Sequence, residues 1–340
     1  MQDLRSQIHL IAGPCAAESR EQLLATAREL QVSGIAVFRA GVWKPRTQPG
    51  SFEGVGEPAL EWLREVKKTY GLAVATEVAT AEQAMLALAY EVDVLWIGAR
   101  TTTNPFLVQQ IADALRGKSC TVLVKNPISP DVNLWQGAIR RMEEAVGEGR
   151  VMAVHRGFQT GQPTDLRNAP LWSIAFELKR RMPALQMILD PSHMAGCCEA
   201  IPTLSQQALD LGYNGLMVEV HCEPRTALSD ANQQLSPSQF ADIINHLKLR
   251  HEGIDTGLVS LRSEIDEIDD ALWNMVLRRM QVSQRIGAYK RDKELPVLQE
   301  TRWNELVEKR LSWAAANGLS EDAVRRVLDA LHEESCRWQL

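Results

Sequence analysis

Four side chains of unlike chemistry, Cys15, His193, Glu219 and Asp230, stand far apart in the chain and would form a mixed ligand set if the fold brought them together. A thiolate, an imidazole and two carboxylates suit a divalent transition cation such as Mn, Fe, Co or Zn, and suit Mg or Ca poorly. The plainer reading, that each is a separate core or loop residue, stands beside it. A second set is cationic: Arg39, Lys44, Arg46, Arg100, Lys125 and Arg156. Several cations at one mouth of a chain whose formal net charge is -6 imply phosphate or carboxylate groups on what binds there.

Such groups act together only if one scaffold collects them. Short β-rich runs are expected at Ile8 to Ala12, Ala36 to Arg39, Leu72 to Glu77, Val94 to Gly98, Thr121 to Lys125, Val151 to His155, Met187 to Asp190 and Leu216 to His221. Each is followed by enough helix-forming chain to return along the outside; Leu23, Leu24, Ala27 and Leu30, for instance, share one helical face. Eight such units fit a (β/α)8 TIM barrel of the α/β class. An open doubly wound sheet fits the periodicity too, but no Gly-rich dinucleotide fingerprint follows the first strand. In a barrel the polar residues after the strands lie at one rim, where active sites are built.

The pattern changes near residue 250. Domain boundaries are expected at 1–250 and 258–340, with 251–257, polar and bearing two glycines, as linker. Beyond it Leu261, Ile265, Ile268, Leu272, Met275, Val282 and Ile286 recur at alternating spacings of four and three, the seam of a long helix packed lengthwise on another. Pro296 breaks it, and helices near 302–317 and from 321 to the end complete an all-α three-helix unit. Arg279 falls on the apolar seam, where an unpaired guanidinium would be costly; a helix salt bridge or a bound anion could each satisfy it. Lys290, eleven residues on, shares its face.

The remaining features mainly exclude. No basic tail or stripe suggests nucleic acid, and no run approaches the length of a membrane span. The opening MQDLRSQIHLIAGPC lacks a signal-peptide pattern, so a cytoplasmic protein is expected, with its six cysteines as free thiols.

GPCAAES (13–19), FRAGVWKPRT (38–47), IGAR (97–100), VKNP (124–127), HRGF (155–158), DPSH (190–193) and VEVH (218–221) occur in one order. Over residues 8 to 245 this pattern resembles the 3-deoxy-D-arabino-heptulosonate 7-phosphate (DAHP) synthases of the compact barrel type. The resemblance implies Cys15, His193, Glu219 and Asp230 as ligands of a divalent metal. It implies phosphoenolpyruvate held by Arg100, Lys125 and Arg156, and erythrose 4-phosphate recognised by Lys44, Pro45, Arg46 and Thr47 with help from Arg39 and Ser192. Lys44 is the expected proton donor to the aldehyde oxygen, with His221 or Glu77 orienting the attacking water. Synthases that use arabinose 5-phosphate carry an Asn-containing sequence where this chain has Lys44 to Thr47, which favours the four-carbon acceptor.

Residues 258 to 340 resemble the all-helical chorismate mutases through LRSEIDEID, Arg279, IGAYK, LPVLQ and SCRWQ. That implies a pocket of Arg262, Arg279, Lys290, Gln299, Arg302, Ser335 and Gln339 that rearranges chorismate to prephenate. Arg262 precedes Arg279 by seventeen residues, roughly 25 Å along a helix, so one helix cannot bring both to one ligand. A pocket using both implies a homodimer of antiparallel helices. Trp303 stands where many members carry Glu, which keeps a second expectation open: a synthase whose helical module senses chorismate or prephenate and dimerises.

Overall fold

The computed structural model describes residues 4, 7–45, 50–161, 165–250 and 256–340, the side chains of 256, 257, 259 and 260 excepted. Arg46 and Thr47, and residues 251–255 of the expected linker, lie outside them. The chain divides into two compact units, Met1–Arg250 and His251–Leu340.

In the first unit the strands are β1 (His9–Gly13), β2 (Val37–Arg39), β3 (Ala73–Val78), β4 (Val94–Ile97), β5 (Thr121–Lys125), β6 (Val151–His155), β7 (Gln186–Leu189) and β8 (Gly215–Glu219). They form a closed, wholly parallel barrel in sequence order, sealed where His9 of β1 faces Gly215 of β8. The helices are α1 (Arg20–Gln31), α2 (Pro58–Tyr70), α3 (Ala81–Ala89), α4 (Ala99–Thr102), α5 (Pro105–Leu115), α6 (Val132–Val146), α7 (Trp172–Arg181), α8 (Pro191–Ala195), α9 (Ile201–Asp210) and α10 (Pro237–His246). Each expected strand is present within two residues; β8 ends at Glu219 and leaves His221 in the following loop.

Local chemistry sets the helix starts. Ser19, Thr80, Asn104 and Asp131 each accept backbone N–H bonds at an N-terminus, and Ser236 with Gln239 forms a capping box. Helix α6 shows why such segments dock: Trp135, Ala138, Ile139, Met142, Ala145 and Val146 recur every three or four residues and are buried.

Strand alternation produces two cores. One lies between strands and helices; the other fills the barrel with Ile11, Ala75, Val94, Trp96, Leu123, Val154, Ile188 and Met217. Moving two residues toward the C-terminal end of each strand keeps the inward direction. From Val37, Ala75, Leu123, Val154, Ile188 and Met217 that step reaches Arg39, Glu77, Lys125, Arg156, Asp190 and Glu219. The apolar filling is thus capped by a charged layer.

The second unit consists of α11 (Thr256–Asp292), α12 (Glu300–Ala316) and α13 (Glu321–Gln339). Because α11 begins at Thr256, the last two expected linker residues are helical. Gly287 permits a close approach here: a Cβ on it would lie 2.5 Å from the carbonyl oxygen of Gln339. No described helix is long and apolar enough to cross a membrane.

Candidate active sites

At the C-terminal mouth of the barrel the candidate ligands converge from the ends of β1, β7 and β8. One ligand atom each from Cys15, Glu219 and Asp230 lie within 4.8 Å of one another. His193, in the short turn α8, brings Nε2 to 3.6 Å from Glu219 Oε1, while its Nδ1 is held 2.8 Å from Asp190 Oδ2. Fixing one ring nitrogen on a carboxylate orients the other toward a cation. Glu219 Oε1 is buried without a hydrogen bond; its charged neighbours are the Arg39 guanidinium at 3.2 Å and His193 Nε2 at 3.6 Å. Donor set and orphaned oxygen together fit a divalent cation.

Charge at the site is balanced by the basic set. Lys44 Nζ donates to Cys15 Sγ at 2.9 Å and to the Cys15 carbonyl at 2.7 Å. Burial, with Glu219 adding to it, pushes the Cys15 thiol up to about 12 despite Lys44. Burial opposes the Lys44 ammonium, but Cys15 and Glu219 outweigh it and its pKa is raised. Burial alone would raise Glu219 and Asp230; His193 and the nearby cations lower both.

A cavity of about 100 Å³ opens beside these groups, lined by Lys44, Pro45, Glu77, Arg100, Lys125, Arg156, Arg167, His193 and Asp230 among others. Lys125 pairs with buried Asp190 at 2.7 Å, and its Nζ lies 5.8 Å from the Trp96 ring centre that floors the site. Burial lowers Arg156 to about 10, as expected of a guanidinium awaiting an anion. Glu77 is held by the Trp96 indole N–H at 3.1 Å, and Gly98 makes room for it: a Cβ there would meet Glu77 Oε1 at 2.1 Å.

Three expected contacts take other positions. Arg39 is fully buried below the cavity, bonded to the Cys15 carbonyl, paired with Glu219 at 3.2 Å and stacked on Trp96. Inward strand parity places it in the floor, against Cys15 and Glu219. Ser192 is likewise buried, its Oγ accepting from the Glu219 backbone N–H. His221 turns away toward Glu18, 3.6 Å off, because the chain leaves β8 before reaching it. Burial opposes its charge, yet hydrogen bonds to Cys222 and Glu18 raise it to about 9.

Sequence reading missed Arg167, Asn168, Gln233 and Gln234. Arg167 Nη1 reaches Asp230 Oδ1 at 2.9 Å and Gln233 Oε1 at 2.7 Å; Gln233 passes a bond to Glu219 Oε2 at 2.7 Å. Gln234 Oε1 accepts from the Cys15 N–H. Gln233 and Gln234 were signalled only by proximity to Asp230, and Arg167 and Asn168 stand outside every strand-end motif.

In the helical unit Arg279, Ser335 and Gln339 gather where α11 meets α13, and Lys290 lies near the C-terminal end of α11. Arg279 Nη1 donates to the Leu331 carbonyl and to Ser335 Oγ, and partial burial lowers its pKa. Lys290 Nζ donates to the Val297 carbonyl, and Gln339 is buried with its Oε1 unpaired. Gln299 and Arg302 are exposed, Arg302 pairing with Glu305. Arg262 is exposed on α11 and is not brought to this cluster within one protomer.

A barrel whose C-terminal mouth holds a mixed ligand set ringed by cations defines an enzyme acting on anionic substrates beside a metal. The family profile described as DAHP synthetase I family matches residues 4–252, and that described as chorismate mutase type II matches 261–340. Phospho-2-dehydro-3-deoxyheptonate aldolase of Thermotoga maritima is 33% identical over 239 residues, spanning 70% of this chain and 68% of that protein. The 2-dehydro-3-deoxyphosphooctonate aldolase of Polaromonas naphthalenivorans is 31% identical over 245 residues, 65% of this chain and 82% of that protein. A crystal structure of the Thermotoga maritima DAHP synthase superposes with a TM-score of 0.63 at 31% identity, covering 78% of this chain and 70% of that one. The chain belongs to the DAHP synthetase I family, and it carries a C-terminal chorismate mutase type II domain. It is a bifunctional enzyme that joins an aldol-type transferase to an isomerase.

Proposed function

We propose that the barrel condenses phosphoenolpyruvate with erythrose 4-phosphate at the cavity between Lys44 and Arg156, and that the helical unit rearranges chorismate to prephenate. The observation that carries the first assignment is the convergence of Cys15, Glu219 and Asp230, with His193 Nε2 beside them, on a cation-lined cavity. A divalent cation held there, Mn, Fe, Co or Zn, supplies Lewis acidity at the aldehyde oxygen.

The protein's own groups do the rest. Arg100, Lys125 and Arg156 neutralise the phosphate and carboxylate of phosphoenolpyruvate and align its C3 with the aldehyde carbon. A new C–C bond forms as the enol π-electrons leave C2 electron-poor. Lys44 Nζ, beside Cys15, delivers a proton to the former aldehyde oxygen. Water adds at C2, Glu77 accepts its proton, and phosphate departs by C–O cleavage. Arg39 and Ser192 position Glu219, and His221 steadies the loop after β8. The Lys44 to Thr47 sequence favours the four-carbon acceptor.

In the mutase pocket Arg279 and Arg262 of a second protomer clamp the two carboxylates of chorismate. Lys290 and Gln339 stabilise negative charge on the ether oxygen as it breaks, while Gln299, Arg302 and Ser335 complete the enclosure. The exposed seam of α11 supports a homodimer as the working unit. Trp303 is the one observation that favours a second reading, a sensor module with slow turnover. The protein is read as cytoplasmic.

Two substitutions test the assignments against each other. Cys15→Ala should lower bound metal and cut phosphoenolpyruvate consumption by roughly 10²-fold or more while leaving chorismate loss unchanged. Arg279→Ala should slow chorismate loss by roughly 10²–10³-fold and spare the synthase. Full synthase activity with tightly held metal in Cys15→Ala sinks the ligand assignment. Equal chorismate rates with and without Arg279 favour the sensor.

A further inference from the structure

Between β6 and α7, residues 167 and 168 lie against the α8 turn that carries His193. The Arg167 N–H donates to the Ala195 carbonyl and the Asn168 N–H to the Met194 carbonyl, both at 3.1 Å. Asn168 is buried, and its amide is used at both ends: Nδ2 donates to the His193 carbonyl at 2.6 Å, and Oδ1 accepts from Arg156 Nη1 at 3.0 Å. The guanidinium of Arg167 spans to Asp230 and, through Gln233, to Glu219. Its stem approaches the end of α8 closely enough that a Cβ on Gly196 would lie 2.6 Å from Arg167 Cβ.

We infer that Asn168, supported by Arg167, is a positioning residue that links the metal ligands to the anion-binding Arg156, so that cation and phosphoenolpyruvate each tighten the other's site. The inference rests on the site reading given above. His193 is fixed from two directions, its ring by Asp190 and its carbonyl by Asn168. An amide suits the second link because it donates and accepts at once; a carboxylate could serve Arg156 but could not donate to a carbonyl. Drawing His193 onto a cation sets the amide, and the amide sets Arg156. Linkage requires the reverse effect to be equal. Direct attraction between cation and substrate adds a share of coupling that does not pass through Asn168.

The experiment uses the full chain with Co²⁺ as the metal probe. Co²⁺ affinity is measured by chelator competition with and without phosphoenolpyruvate, and phosphoenolpyruvate affinity by calorimetry with and without Co²⁺. The wild-type protein should show coupling of roughly tenfold. Asn168→Ala should reduce that factor at least threefold in both directions. Arg167→Gln should weaken Co²⁺ about tenfold. Wild-type coupling retained in a folded Asn168→Ala protein, or no coupling in the wild type, overturns the inference. Failure of the site reading looks different: the Co²⁺–thiolate absorption band would then be missing from the wild type, or would persist in Cys15→Ala.

Discussion

The barrel mouth and the helical pocket both collect cations for anionic ligands, yet they are completed in different ways. Cys15, Lys44, Lys125, Asp190 and Glu219 are all buried, each held by a partner from a different strand or loop of the same chain. Barrel closure sets their distances before anything binds, which is the preorganisation that charge-stabilising sites need. The helical unit has no comparable interior. Among its described residues the buried hydrophobic side chains are Met280 and Ala314, while Leu261, Ile265, Ile268, Leu272 and Met275 are each at least half exposed. An apolar stripe of this length facing water marks a surface that meets a partner. Three helices of 37, 17 and 19 residues cannot cover that stripe themselves. On the reading proposed above, one site is finished by its own chain and the other by a second copy.

The sharpest way to break this contrast is to charge the stripe. Ile268→Glu places a carboxylate in the expected dimer seam, where burying it unpaired costs several kcal/mol. Mutase activity should fall by at least about 10²-fold, with the protein sedimenting as a monomer, and synthase activity should fall at least tenfold less than that. An active monomeric mutase would remove the need for Arg262 from a partner and make the two sites alike.

A smaller effect separates the regions by acid. His155 follows Val154 on β6, so its ring turns outward, between Trp135, Phe158, Trp172 and Tyr213. Burial lowers its pKa from 6.5 to about 3. Below pH 6.5 the unfolded chain takes up a proton that the folded barrel refuses. The barrel's stability is thus intact above that value and declines as pH falls toward 3. Among the described residues of the helical unit the buried polar side chains are Ser283, Ser335 and Gln339, none of which titrates. Between pH 7 and 5 the barrel should lose about 2 kcal/mol through this histidine. His155→Phe should remove that part of the slope in urea titrations; an unchanged slope would assign the acid lability to other groups.

His155 also marks where reading the sequence succeeds and where it stops. The eight strands were legible because β-rich runs, turn residues and amphipathic returns repeat in register. The ligand set was legible because thiolate, imidazole and carboxylate are chemically loud. Which way a rim residue faces was not. Arg39 and His155 are both basic strand-end residues by type, but side-chain alternation sends Arg39 into the barrel floor and His155 into the helix layer. Asn168, Gln233 and Gln234 were silent because their partners include backbone groups and residues up to 219 positions away. In the helical unit the seam was plain, since its heptad spacing survives as an exposed stripe on α11.

Trp303 gives the finest test of the comparison. Its ring stacks on His332 with centroids 4.0 Å apart and planes 22° from parallel. His332 precedes Ser335 by three residues and Gln339 by seven, so the stack lies on the helical face that meets Arg279. A stacked pair of this kind contributes about 0.5–1.5 kcal/mol, and the indole ring itself carries no charge. Trp303→Ala should therefore change shape more than electrostatics. The expected result is a KM for chorismate raised less than about tenfold with kcat nearly unchanged. A fall in kcat as large as that of Arg279→Ala would place the tryptophan among the groups that stabilise the transition state. The helical pocket would then depend on aromatic contact as the barrel depends on its cations.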